Sequence, residues 1–404
     1  MEEKFQVRRY QRSDRDSVFD LLKAGYRPEL ASRIAQQWNW KYDANPFNWE
    51  AAQDRRANSK SLLALGTARE PDDFTHESES DDRDPYVLII VGGSREIVGI
   101  GCSFPQRFLI SRAESWVSCL CDWVIHPAYR NRNLSTRISS RWFAEHRLTF
   151  GYSNGKSRRI WNNWSKRGGW VNTGSALVEG MGLPALVKPI DWKGLADWLV
   201  GSDIVGHAAA VWGWLERSAV RAIRPAAANP VPSFAITKVD SFDERFDSFW
   251  FRVCGDYPVI GVRDRRYLNW RFVARPDASY VRLAATTENG VEGYLIFRIA
   301  ERDGLRCGFL VDYLVAERSL SIFSQLLYQA EQHLLGAGVT AIVCVGAPRP
   351  YRKTMWRHGY YPTIFRSYTY LRSSVRSLDP ELREFAHPRS WYTSMGDGDL
   401  DLWL

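Results

Sequence analysis

The sequence predicts an α/β protein on mixed sheets, with two similar domains in tandem joined by a helical linker. Three observations predict it. An internal repeat divides the chain, each half alternates apolar strands with helical stretches, and one strand passes through a short polar turn straight into a helix. At 404 residues the chain has room for two or three domains with full hydrophobic cores.

The repeat is read directly. Asn39-Trp40-Lys41-Tyr42-Asp43-Ala44-Asn45-Pro46 returns 230 residues later as Asn269-Trp270-Arg271-Phe272-Val273-Ala274-Arg275-Pro276. Asp122-Trp123-Val124-Ile125 matches Asp312-Tyr313-Leu314-Val315, and Gly169-Trp170 matches Gly359-Tyr360, both at an offset of 190. The difference between the two offsets places extra sequence in the first half. Residues 50–85 supply it, and their polar, acidic composition predicts a mobile excursion rather than core. The expected domains are 1–182, carrying the 50–85 insertion, and 235–404, a second domain with its tail. A Trp-rich helical segment and linker over 183–234 lies between them.

Element by element, the first half reads as a strand at Phe5–Arg9 and a helix at Ser13–Gly25, with Ser13 as N-cap. Tyr86–Val91 and Ile97–Phe104 form a hairpin around Gly92-Gly93-Ser94. Ser115–Ile125 is an apolar strand ended by His126-Pro127, followed by a helix at Leu134–Leu148, a strand at Thr149–Ser153 and a helix at Lys156–Lys166. The second half repeats this with strands at Tyr280–Thr286, Gly293–Ala300 and Cys307–Val315, a helix at Ser321–Leu335 and a strand at Ala341–Val345. Trp192–Arg224 reads as a helix that packs on a domain, and Pro225–Ser233 as a linker.

Composition narrows the function. Lys and Arg number 54 against 46 Asp and Glu, a net charge of +8, which suits an anionic ligand such as a nucleotide cofactor and equally suits an ordinary basic surface. Eighteen tryptophans fit a protein with a binding groove but name no ligand. No apolar run reaches the ~18 residues of a membrane-spanning helix. The opening MEEKFQVRRYQRSDRD lacks an apolar signal segment, so a cytoplasmic protein is expected. The six cysteines are scattered, with no C-x-x-C pair, which argues against a zinc ribbon or a disulfide framework. Asp397-Gly398-Asp399-Leu400-Asp401 has the alternating acids of a calcium loop without its closing glutamate, and no metal is expected.

The segment that carries chemistry runs from Trp123 to Thr136. An apolar strand ends at Pro127, a polar turn follows, and a helix begins. The amides of such a turn and of the first helical turn have no intrahelical partners, and they face an anion at the positive end of the helix dipole. Arg130 and Arg132 add charge suited to phosphate oxygens. A solvated basic turn would read the same way.

This segment resembles the GNAT superfamily of acyl-CoA-dependent N-acyltransferases. Their strand–turn–helix carries V-x-P-x-x-[R/Q]-x-x-G-x-[G/A]; here it reads Ile125-His126-Pro127-Ala128-Tyr129-Arg130-Asn131-Arg132-Asn133-Leu134-Ser135. The strand, proline, first arginine and small final residue match. Asn133 replaces the middle glycine, and asparagine is among the residues that tolerate positive φ. Asn154 and Gly169-Trp170 fall at further positions of the pattern. With the repeat, the resemblance covers roughly residues 3–180 and 235–372. The second half departs further: Val315-Ala316-Glu317-Arg318-Ser319-Leu320-Ser321 has no proline and an acidic Glu317, which describes a degenerate GNAT-like domain.

The resemblance implies an N-acyltransferase, with acetyl-CoA or another acyl-CoA as acyl donor. The donor would be held by Val124, Ile125, Arg130, Asn131, Arg132, Asn133, Leu134, Ser135, Thr136 and Asn154. The acceptor would be an amine in a groove near Trp38, Trp40 and Tyr42, whose aromatic character puts an amino sugar or other small metabolite ahead of a protein; no DNA partner is expected. The usual acid position falls on Trp161 or Trp164, neither of which donates a proton usefully; Tyr152 and Ser153 are candidate substitutes, and a plain strand role is the favoured reading of both. For the base the candidate is Asp122, a carboxylate on an apolar strand. Its counterpart Asp312, in a half without the cradle, favours a shared structural role. Glu114 and His126 are weaker candidates, and Cys119 and Cys121 read as core residues. Two alternatives remain: a GNAT-fold binding or scaffold protein without chemistry, and a FemAB-like transferase that takes its acyl group from charged tRNA.

Overall fold

The structure, a computed structural model, describes residues 5–64, 85–93, 95–153, 176–177, 181–195, 234–302, 304–316, 319–362, 370–375, 382, 385 and 391–403. The chain forms two compact units. The first comprises 1–181, 275–277 and 369–390, and the second comprises 182–274, 278–368 and 391–404.

In the first unit the strands are β1 (Gln6–Arg9), β2 (Val87–Val91), β3 (Ile97–Ile110), β4 (Ala113–Ile125) and β5 (Leu148–Ser153), with short β6 (Ala176–Leu177) and β7 (Met181–Gly182) after them. The sheet order is β1-β2-β3-β4-β5-β16-β6, where β16 is Tyr370–Val375. That strand comes from the stretch expected to belong to the second domain, and it runs antiparallel to β5. Strands β1 to β4 are antiparallel neighbours, while β4 and β5 are parallel. A parallel pair needs a crossover, and helix α4 (Leu134–Glu145) lies between them in sequence. Leu134, Ile138 and Trp142 of this helix pack on Leu88, Ile90, Val98 and Leu120 in the unit's core.

Helix α1 (Arg15–Gly25) follows a 3-10 turn at Arg12–Asp14, and α2 (Pro28–Trp38) starts with proline in its first turn, where the missing N–H costs nothing. The first copy of the repeat, Asn39–Asp43, is a π-helical turn on the end of α2. Part of the insertion is corrected. Asn48–Ala64 is helix α3, with Ala51 and Ala52 buried, so residues 50–64 of the expected excursion are helical. These two adjacent alanines in its first turn are the apolar residues it buries among those described. Residues 65–84 lie outside the described residues, as do the expected helix 156–166, most of 192–224 and the linker 225–233.

The second unit's sheet has the order β15-β8-β14-β13-β12-β11-β9. Its strands are β8 (Ala185–Pro189), β9 (Ala235–Lys238), β11 (Val281–Thr287), β12 (Gly290–Arg302), β13 (Leu305–Val315), β14 (Ala341–Val345) and β15 (Tyr361–Pro362), with β10 (Val259–Gly261) beside them in sequence. Its helices are α5 (Glu244–Val253), α6 (Arg265–Phe272), α7 (Leu320–Gly336) and α8 (Arg349–Arg357). Again three antiparallel strands lead to a parallel pair, β13 with β14. The second copy of the repeat, Asn269–Phe272, ends α6. Both units are therefore mixed α/β sheets of the same plan.

Candidate functional site

In both units the parallel pair parts before its strands end. In the first, β4 pairs β5 at Ser118–Thr149, Cys119–Phe150 and Leu120–Gly151 and then runs on to Ile125. In the second, β13 pairs β14 up to Leu310–Cys344 and runs on to Val315. Leu120 and Leu310 are 190 residues apart, the offset of the repeat. A bulge accompanies each parting. Cys102 faces Cys121 and Gly101 faces Trp123, which leaves Asp122 as the extra residue, with φ +43°. In β13 the extra residue is Val311, one place earlier, and Asp312 regains a partner in Ile296. Bulges bend a strand and re-aim its side chains.

Asp122 is buried and ion-paired. Lys41 Nζ lies 2.7 Å from its Oδ2, and the Tyr42 hydroxyl donates to the same oxygen. Burial, and then the Asp122 charge, push the Tyr42 phenol well above its ordinary pKa, so it remains a proton donor in this contact. Cys121 Sγ lies 3.1 Å from the Tyr42 oxygen. Lys41 is a site residue that the residue-by-residue reading missed. The signal was present: both repeat segments carry a cation two places after Asn, and both halves carry the strand aspartate.

Beyond the bulge, the Tyr26 hydroxyl donates to the Trp123 carbonyl at 3.1 Å, and the end of α1 crowds Val124. A Cβ on Gly25 would stand 2.2 Å from Val124 Cγ2, so this approach requires glycine. The His126 amide returns to Val98 O, closing the strand, and Pro127–Tyr129 forms one 3-10 turn. Two left-handed residues follow, Asn131 at φ +68° and Asn133 at φ +58°, with Arg132 between them. Asn133 is the N-cap of α4, and its carbonyl accepts from Thr136 and Arg137. The amides of Leu134 and Ser135, at the start of that helix, have no carbonyl one turn back to bond. Arg130, Asn131, Arg132, Asn133 and Thr136 are exposed, Leu134 is buried and Ser135 half-buried. The Arg130 Nε–H reaches the Ile125 carbonyl at 3.4 Å, and the Arg132 guanidinium lies 5.1 Å from the Tyr129 ring centre.

The remaining expected residues fall as follows. Trp38, Trp40 and Tyr42 are all buried, Trp38 donating to the Tyr10 hydroxyl and packing 4.7 Å from Tyr42. Tyr152 is half-buried and is the first residue of β5 beyond its last parallel pair with β4. Asn154, Trp161, Trp164 and Gly169-Trp170 lie outside the described residues, as do Glu317 and Arg318. The acids that resemble a calcium loop are engaged with arginines: Asp397 with Arg263 at 2.8 Å, and Asp401 with Arg271.

Comparison with known proteins is decided by fold. No protein-family model matches the chain, and no curated protein matches it. Among solved structures it is similar to a conserved protein of unknown function, a probable N-acyltransferase, from Enterococcus faecalis V583. That match has TM-score 0.54 and 11% identity, over 94% of this chain and 74% of that one. It is also similar to a GCN5-related N-acetyltransferase from Anabaena variabilis ATCC 29413, with TM-score 0.53 and 8% identity over 93% and 74%. At such identities the likeness is one of fold. The chain has the GNAT fold, and it runs over both units. Among the described residues no helix is long and apolar enough to cross a membrane.

Proposed function

We propose that the protein is an acyl-CoA-dependent N-acyltransferase whose donor binds the first unit. The observation that carries this reading is the turn after β4: two left-handed asparagines and the opening amides of α4, beside a strand that has parted from its neighbour. Successive amides turned to one side by left-handed residues form a concave anion site, and the helix dipole adds to it. Arg130 and Arg132 would neutralise the diphosphate of coenzyme A, and Val124 and Ile125 would offer backbone groups to its amide-bearing arm. Asn154 would be a further donor contact by the family resemblance alone.

Chemically, the amine nitrogen attacks the thioester carbonyl, the C–S bond breaks, and the thiolate takes a proton while the amine gives one up. Tyr152, at the mouth of the gap, would protonate the sulfur. Asp122 already accepts two donors, so its part is to hold Tyr42 and the bend of β4 in place behind the reacting centre. Trp38 and Trp40 would back that wall on the acceptor side. Positioning contributes more to such a transfer than a single proton-handling group, which is worth about two to four decades.

Calorimetry with acetyl-CoA, and thiol release measured over a panel of amino sugars and small amines, test the reading. Binding near one donor per chain with release on some amine is expected. Binding without release on any amine would leave a GNAT-fold binding protein, and no binding at all would remove coenzyme A in favour of charged tRNA or no donor.

A further inference from the structure

In the second unit, the gap between β13 and β14 is bridged by a later segment of the same chain. Thr393 Oγ1 donates to the carbonyl of Gly346, the first residue past β14, at 2.9 Å. The amide of Gly396 donates to the carbonyl of Val311, the first residue past the last β13–β14 pair, at 2.8 Å. One segment thus bonds both lips of the opening. We propose that this gap is a peptide-binding groove, permanently occupied by residues 391–401, and that it is thereby closed to acyl-CoA. Both the gap and the segment that fills it belong to the second unit.

The occupant is selected by shape and charge. A Cβ on Gly396 would stand 2.9 Å from Phe272 Cζ and 3.0 Å from Asp312 Cβ, so its backbone lies in contact with the groove floor and only glycine fits. The Gly396 carbonyl accepts from the Tyr267 hydroxyl at 3.0 Å and from Arg271 Nε at 3.3 Å. Asp397 turns back to accept the Ser394 amide at 2.9 Å and meets Arg263, while Ser394 Oγ donates to Asp312 at 2.6 Å. Asp401 meets Arg271, with both side chains fully buried. The groove therefore reads an acidic peptide that turns at Ser394–Asp397, with glycine immediately before the first aspartate. Removing one partner of a buried ion pair leaves a charge without water, and two such pairs make this occupant a fixture rather than a lid.

Hydrogen exchange on the whole chain, with a synthetic peptide of residues 391–403 added in trans, tests the proposal. In the wild-type chain the amides of Tyr392 and Gly396 should exchange at least a thousandfold slower than free peptide, and the added peptide should not bind. Exchange at the free-peptide rate overturns the proposal. In Gly396→Val the chain's own segment should lose protection at least tenfold, and the added peptide should bind at least tenfold tighter than it does to wild type. A folded Val variant with unchanged protection, or one that ignores the peptide, overturns the groove. Should that variant fail to fold, Asp397→Asn loosens the same segment with little change of shape. A tenfold loss of protection at Tyr392 and Gly396 is expected there, and unchanged exchange overturns the proposal.

Discussion

Lys41 Nζ and Asp122 Oδ2 meet at 2.7 Å with both side chains only 2% exposed, joining the π-helical turn after α2 to the bulge of β4. Two charges so far from water stay only because each neutralises the other and Tyr42 supplies a further hydrogen bond.

Lys41→Met is therefore expected to destabilise the protein by about 3–5 kcal/mol, since it strands the Asp122 carboxylate. Adding Asp122→Asn to it should restore stability, with a coupling energy of at least about 1 kcal/mol. Urea denaturation of the two single variants and the double variant gives the cycle. Additive losses would mean that the pair contributes nothing as a pair.

Asn133 tests the cradle. At φ +58° a β-branched residue is strained by about 1–2 kcal/mol, whereas glycine is not. Asn133→Val should lower stability by that amount and abolish coenzyme A binding, while Asn133→Gly should keep or tighten it. A Val variant that binds like wild type would show that this turn does not hold the diphosphate. Reversing the charges of Arg130 and Arg132 together should weaken binding tenfold or more, because two charge-assisted contacts are lost.

His146 predicts acid sensitivity in the first unit. Burial first, and then the nearby Arg55, depress its pKa to about 3. With a neutral ring, Nδ1–H donates to the Trp142 carbonyl at 2.7 Å, and Nε2 has no partner among the described residues. The unfolded chain, with an ordinary histidine, binds a proton that the folded chain refuses between about pH 6.5 and 3. Stability from this group is thus complete above pH 6.5 and falls as the pH drops through that window, at up to about 1.4 kcal/mol per pH unit. Urea midpoints at pH 7, 5 and 4 should fall less steeply for His146→Phe than for wild type. Parallel slopes would discard the assignment.

The long apolar strands were legible because period and composition mark them, although β3 runs on from Phe104 to Ile110; the short strands β6 to β10, among them Ala185–Pro189 in a stretch expected to be helical, were not. The left-handed turn at Asn133 was legible as well, because local chemistry sets it. Pairings set by distant segments were not. Nothing in Tyr370–Val375 announces that it lies beside Leu148–Ser153. Trp38 and Tyr42 looked like groove residues because aromatics suit both grooves and cores, and burial alone separates the two. The α3 helix was hidden because its buried face is two alanines in a charged stretch.

Lys41 and Arg271 show how far the repeat extends. They occupy equivalent places, yet Lys41 pairs with Asp122, whereas Arg271 pairs with Asp401 and leaves Asp312 to Arg263. The difference follows from donor geometry. Asp122 presents one oxygen to a single ammonium, a contact that a point charge satisfies. Arg271 must serve three acceptors in different directions: the Gly396 carbonyl, the Gly398 carbonyl at 3.2 Å and the Asp401 carboxylate. A guanidinium fork does this and an ammonium on a flexible stem does not. Arg271→Lys keeps the charge but gives up at least one of these buried charge-assisted hydrogen bonds, at about 1.5–3 kcal/mol each. The variant should lose about 2–4 kcal/mol in denaturant titration, and Arg271→Met more, because it also strands Asp401. A Lys variant within about 0.5 kcal/mol of wild type would mean that charge alone holds residues 396–401, and that the fork's shape is incidental.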